Sequence, residues 1–213
     1  MTWSQGYEAE EEFGFDRTTA YLPMLVQHET DRRNKHTKEI IHPSTPATHH
    51  ELQSLFRALR RQWRTTESFL CIQSLFTGGQ AGIPPLPPGN INKVIALSCS
   101  TMAFDNTLRP RSAAQHALAL SIRDLLLLRE GPAGEEVKCY AQDPIYRPVD
   151  RSVLGEEGVV VLEDPRAFLE VDETSVVIAV ASDICVRQIV ADLARPAVVI
   201  WDRVTDEVET GAV

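Results

Sequence analysis

Residues 93–104 read KVIALSCSTMAF, an apolar run of β-formers that breaks into small polar residues and is soon followed by a helical pattern. Val94 to Leu97 show no polar alternation, as expected of a strand covered on both faces. Downstream, Ser112 with Gln115 three residues later predicts a capped helix start. The apolar stretch Ala113–Leu128 predicts a buried helix, and Gly131 and Pro132 a stop. The same alternation recurs: VKCYA (137–141), a short helix over 150–157, VVVL (159–162) entered through Gly158, and SVVIAV (175–180). Asp183 then caps a helix with Val186, Ile189, Val190 and Leu193 at i, i+3, i+4 and i+7. Pro196 ends it before AVVIW (197–201). Five short apolar runs separated by helices predict an α/β three-layer sandwich with a five-stranded, mostly parallel sheet. Right-handed crossovers favour strand order 3-2-1-4-5, with a switch point between the first and fourth strands. Ligands of such sheets sit beyond the strand carboxyl ends. Those ends are Ser98–Phe104, Gln142–Tyr146, Ala181–Asp183 and Trp201–Arg203.

Upstream, the Gly/Pro-rich run GGQAGIPPLPPGN lies in a linker over 77–92. Before it, residues 44–76 form a helical segment expected to pack on the core. Thr48 and Glu51 make a capping box, with Leu52, Leu55, Phe56, Leu59 and Trp63 on one face, and a second helix runs from Glu67 to Phe76. Residues 1–43 lack sustained periodicity and read as a poorly ordered arm that docks locally through Phe13, Phe15, Tyr21, Leu22, Met24 and Leu25. Residues 205–213 read as an acidic tail beyond the 93–204 domain.

The 213 residues suffice for one domain with a sizeable core, and 43% hydrophobic with 24% charged residues excludes wholesale disorder, collagen and coiled coil. No apolar run approaches about 18 residues, and the start is acidic where a leader peptide would be basic. Cys71, Cys99, Cys139 and Cys185 form no CxxC pair and suit a reducing compartment. These features predict a cytoplasmic protein without a membrane partner. The net charge of −9 divides into −5 over 1–16, +4 over 17–70, +2 over 71–130 and −10 over 131–213. Nucleic acid is therefore a disfavoured partner, with only Arg57–Arg64 suited to phosphate.

Five segments carry a resemblance: CSTMAF, RSAAQHALALSIRDLL, CYAQDPIY, VLGEEGVVVLEDPRAFLEV and DICVRQIVADLARPAVVIWDRV. Over roughly residues 90–204 the chain resembles the SRR1-like ("sensitivity to red light reduced") proteins, most of all their fungal branch. The most specific runs are Arg-Ser-x-x-Gln-His (111–116), Gln-Asp-Pro-x-Tyr (142–146) and Ala-Asp-x-Ala-Arg-Pro (191–196). The resemblance implies a Rossmann-like domain, cytoplasmic and nuclear residence, and a regulatory association in light signalling, stress response or haem synthesis. It brings no catalytic residue and no cofactor. Plant and animal members tend to carry a glycine turn of the kind YGxGS where this chain has Ser98, Cys99, Ser100 and Thr101.

Without glycines there, side chains hold a pyrophosphate off the backbone, so the usual grip on NAD or S-adenosylmethionine is disfavoured and the cofactor is left unknown. The candidate ligand-binding set is Ser98, Cys99, Ser100, Thr101, Arg111, Gln115, His116, Gln142, Asp143 and Tyr146. A small anion would be held by the hydroxyls, Arg109, Arg111 and the dipole of the helix starting near Ser112. Asp143 is either a ligand contact or the cap of an Asp-Pro turn; it follows Ser98 by 45 residues, against about 20 in dinucleotide folds. His116 is either a general acid/base or a packing residue, and Cys99 either a thiol activated near a helix start or a small core residue. Gln115 has a plain explanation as a capping partner. His49 and His50 point about 100° apart, and with His28, His36 and His42 they predict no metal site. Asp192 and Arg195 read as an i, i+3 ion pair. The expected function is regulatory, by small-ligand sensing, partner binding or both. The alternative is an enzyme using His116, Asp143 or Cys99 on a small metabolite at the strand edge.

Overall fold

The computed structural model describes residues 46–78, 91–104, 109–130, 136–182 and 184–202. The arm, most of the linker, Asp183, Gly131, Pro132 and the acidic tail lie outside these residues. Helices α1 (His49–Trp63) and α2 (Glu67–Thr77) precede the sheet. Then come β1 (Lys93–Leu97), α3 (Arg109–Glu130), β2 (Lys138–Gln142), α4 (Pro148–Glu156), β3 (Val160–Val161), α5 (Arg166–Leu169), β4 (Ser175–Ala179), α6 (Val186–Leu193) and β5 (Val198–Trp201). All strand pairs are parallel, in the order β3-β2-β1-β4-β5. Val94 stands between Cys139 and Val176, Ile95 between Tyr140 and Val177.

The alternation along β1 sorts the core into two layers. Val94 and Ala96 face the cluster built with α1 to α4, including Leu52, Phe56, Leu120, Leu126 and Leu154. Ile95 and Leu97 face Phe168, Val186 and Val190 from α5 and α6. The α1 capping box forms as the sequence predicts: the Glu51 amide donates to Thr48 Oγ1 at 3.4 Å and the Thr48 amide to Glu51 Oε2 at 2.8 Å. Leu52 and Phe56 are buried on the predicted face, and Trp63 Nε1 reaches Ser121 Oγ at 3.1 Å.

Several boundaries move. The helix expected to start at Ser112 already includes Arg109 and Pro110, so Ser112 is inside the helix and does not cap it. Cys185 is the N-cap residue of α6. The four-residue α5 was not anticipated, being too short for periodicity. Arg195 does not pair with Asp192 but donates to the Ala191 and Ala194 carbonyls. The arginine-rich stretch turns onto the protein: Arg57 pairs with Glu157 at 3.1 Å, Arg60 with Glu157 at 2.5 Å and Asp124 at 2.7 Å, and Arg64 with Asp124 at 2.9 Å. Those acids neutralise much of the charge a phosphate backbone would need.

Candidate functional site

The first lip of the switch-point crevice is the turn after β1. Ser98 and Ser100 adopt left-handed backbone, with φ 57° and 64°. That conformation costs a side chain on the order of 1–2 kcal/mol and must be held by its surroundings. The spacing, residue i and i+2, is the one a glycine-x-glycine turn would occupy. Here the chain's own acids hold it. The Ser98 amide donates to the Gln142 carbonyl at 3.1 Å, and the Ser100 amide to Asp143 Oδ2 at 2.7 Å. The Ser100 carbonyl accepts from Ser112 Oγ at 2.8 Å. Next along the loop, Thr101 Oγ1 donates to Asp150 Oδ2 at 2.5 Å and the Met102 amide to Asp150 Oδ1 at 2.8 Å. Asp150, 0% exposed, also accepts the Arg147 amide at the start of α4 at 2.9 Å. Sequence reasoning missed Asp150; the available signal was an acid three residues after Arg147, at the third position of a helix opened by Pro148, where it caps that helix. The Asp143 and Asp150 carboxylates thus sit on amides that an incoming phosphate would use.

The second lip lies at the end of β4. Gln115 Nε2, one turn beyond Ser112 on α3, donates to the Val180 carbonyl at 2.9 Å instead of capping its own helix. Ala181 is the third left-handed non-glycine residue, φ 49°, and its amide donates to Asp202 Oδ2 at 2.7 Å. Arg187 stacks over the Trp201 ring, 6.0 Å from its centroid. A polar belt therefore crosses the carboxyl ends of four strands: Asp143, Ser100, Ser112, Gln115, Val180, Ala181 and Asp202.

Beneath the first lip, His116 is 2% exposed. Its Nδ1 lies 2.7 Å from the Ser112 carbonyl and its Nε2 2.7 Å from the Tyr146 hydroxyl. A carbonyl accepts only, so Nδ1 carries the proton and Nε2 accepts from Tyr146. Burial drives the His116 pKa down to about 4 against the upward pull of the Ser112 carbonyl and Asp150, leaving a neutral imidazole. Burial likewise pushes the Tyr146 phenol well up and the Cys99 thiol far up, with Asp143 adding to both. Cys99 is fully buried, its sulfur 3.8 Å from the Leu97 carbonyl. Gln142 is spent on α5, donating to Asp164 Oδ1 and accepting the Ala167 amide, each at 2.7 Å. Asp143 caps its own turn, accepting the Ile145 amide at 3.1 Å. Arg109 donates to the Met102 and Ala103 carbonyls at 3.0 and 3.3 Å, while Arg111 stands exposed.

The ten candidate residues therefore divide. Ser98, Ser100 and Gln115 lie at the carboxyl edge of the sheet, and Arg111 stands exposed one residue before Ser112. Cys99, Thr101, His116, Gln142, Asp143 and Tyr146 form the packed or hydrogen-bonded support. Among the described residues, no group of three His, Cys, Asp or Glu side chains is arranged to hold a metal ion, and no helix is long and apolar enough to cross a membrane.

An all-parallel, doubly wound sheet in this order defines a Rossmann-like α/β protein. A family model described as the SRR1 domain matches residues 88–211, and the chain belongs to that family. No curated protein and no solved structure matches it.

Proposed function

We propose that this SRR1-domain protein is regulatory and that it binds a small ligand, a protein partner or both at the carboxyl edge of the sheet without transforming what it binds. The observation that carries this reading is the state of the reactive groups. His116 is neutral, sealed and bonded on both nitrogens; Cys99 is a buried thiol; Asp143 is committed to two backbone amides. No accessible acid/base pair is assembled from them, so an enzyme built on these three would need to open its own core. We place Ser98, Ser100, Gln115 and Arg111 as the contact residues, with Cys99, Thr101, His116, Gln142, Asp143 and Tyr146 as their scaffold. Action in the cytoplasm or nucleus and affinity with fungal members complete the proposal. Residues 44–76 act with the 93–204 domain as one unit in this reading, because α1 and α2 contribute Leu52, Phe56 and Phe76 to the main core.

Native mass spectrometry of protein purified from its own cells tests the reading. A retained molecule or stoichiometric partner that stays unchanged on incubation supports it. Conversion of the retained molecule to a product overturns it, as does a chain that emerges bare.

A further inference from the structure

One edge of the sheet is apolar and, among the described residues, unpaired. There β5 bonds to β4 alone, whereas the opposite edge, β3, is only two residues long. All of β4 and every residue of β1 after Lys93 are buried, yet none of Val198, Val199, Ile200 and Trp201 is. Proteins usually blunt such an edge with charge, proline or a bulge. The run AVVIW (197–201) carries neither charge nor proline. The helix beside it shows the same excess. Leu193 follows Val186 by seven residues and Val190 by three, which puts all three on one stripe of α6. Val186 and Val190 are 2% and 1% exposed, but Leu193 is 52%. The apolar stripe of α6 thus runs on past the part that its own sheet covers.

The edge is complementary to itself. Directly opposed residues of an antiparallel pair share a face, so a two-fold axis normal to the sheet must pass beside a residue rather than between two. Val199 is the midpoint of the run 197–201. An axis there sets Val199 against its own counterpart, Val198 against Ile200 and Ala197 against Trp201, so each apolar residue meets another. The faces match as well. Val198 and Ile200 pack on the α1 to α4 side, which turns Val199 and Trp201 to the α6 side, where Arg187 lies over the Trp201 ring. The two-fold keeps both α6 helices on that side and lays the start of each β5 beside the end of the other. Leu193, the last residue of α6, is thereby carried toward Trp201 of the second copy. Charge agrees at the same ends. Exposed Arg195 bonds only backbone carbonyls, with no acid partner among the described residues, and it comes beside exposed Asp202 of the second copy. We propose that the chain forms an isologous dimer through β5, joining two five-stranded sheets into one continuous sheet. This pairing is separate from the ligand binding proposed above, and either can fail alone.

Sedimentation equilibrium of the full chain, over a dilution series from the high to the low micromolar range, tests it. The expected result is a reversible equilibrium between monomer and dimer. Val199→Lys sets like charges against each other at the axis, and Leu193→Glu puts a charge where the second copy's Trp201 would pack. Each should weaken the dimer by about tenfold. Val160→Lys, at a 53% exposed position on the β3 edge, should leave the dimer unchanged. All three variants are checked for fold by circular dichroism; should Val199→Lys unfold, Leu193→Glu alone carries the comparison. A monomer at every concentration overturns the proposal, as does a dimer indifferent to both β5-side variants. Loss of the dimer in Val160→Lys, or open-ended growth into larger assemblies, overturns it too, because either would mark head-to-tail pairing of β3 with β5.

Discussion

His116 should give the protein a distinct acid sensitivity. In the folded chain its pKa is about 4; in the unfolded chain it returns to the ordinary value near 6.5. The folded pKa is the lower one, so the unfolded state binds the extra proton as pH falls. The stability linked to neutral His116 is fully present above about pH 6.5 and drains away between pH 6.5 and 4. Integrating that difference from pH 7.5 to 5.0 gives a loss on the order of 2 kcal/mol from this one residue, with close to one proton taken up on unfolding near pH 5. The assay is urea unfolding followed by far-UV circular dichroism at several pH values, for the parent, His116→Asn and His116→Leu. At pH 7.5 the variants should be weaker by about 1–3 kcal/mol, because the Tyr146 hydroxyl loses its acceptor inside the core. Between pH 7.5 and 5.0 the parent should fall more steeply than either variant. Asp150 and Asp143, the charged groups close to this pair, remain in all three proteins, and their common contribution subtracts. Parallel pH curves for parent and variants would refute both the burial and the neutral state of His116.

Three further outcomes follow from the same geometry. Asp150→Ala strands the Thr101 hydroxyl and the Met102 and Arg147 amides, so it should cost about 3–5 kcal/mol in chemical denaturation; a loss below about 1 kcal/mol would contradict its role as the buried clamp of the loop. Ser98→Gly and Ser100→Gly relieve left-handed strain but loosen the unfolded chain, for a net gain of up to about 1 kcal/mol each in the same measurement; destabilisation by either would mean that its hydroxyl holds the fold. A thiol reagent applied to the native protein should label exposed Cys71 promptly and spare Cys99 and Cys139 until urea unfolds the chain; fast native labelling of Cys99 would revive the nucleophile reading.

The strand order was legible because each strand announces itself locally: Val94–Leu97 and Val176–Ala179 are apolar on both faces, and right-handed crossovers leave few arrangements for five such runs. Thr48 and Glu51 lie three residues apart, so their capping box could be read from the sequence and forms as read. The site was only half legible, since its bonds join residues far apart in sequence. Gln115 looks like a capping residue until Val180, 65 positions away, is brought beside it. Asp150 looks like an ordinary acid in a first helical turn until Thr101 and Met102, nearly 50 positions upstream, fold onto it. The missing glycines illustrate the same limit. Serine at 98 and 100 disfavours the usual backbone grip on a pyrophosphate, yet a left-handed turn forms there all the same, because Asp143 and the Gln142 carbonyl supply hydrogen bonds that offset the strain. What serine changes is the surface of that turn: hydroxyls now line it, and the amides beneath are already engaged.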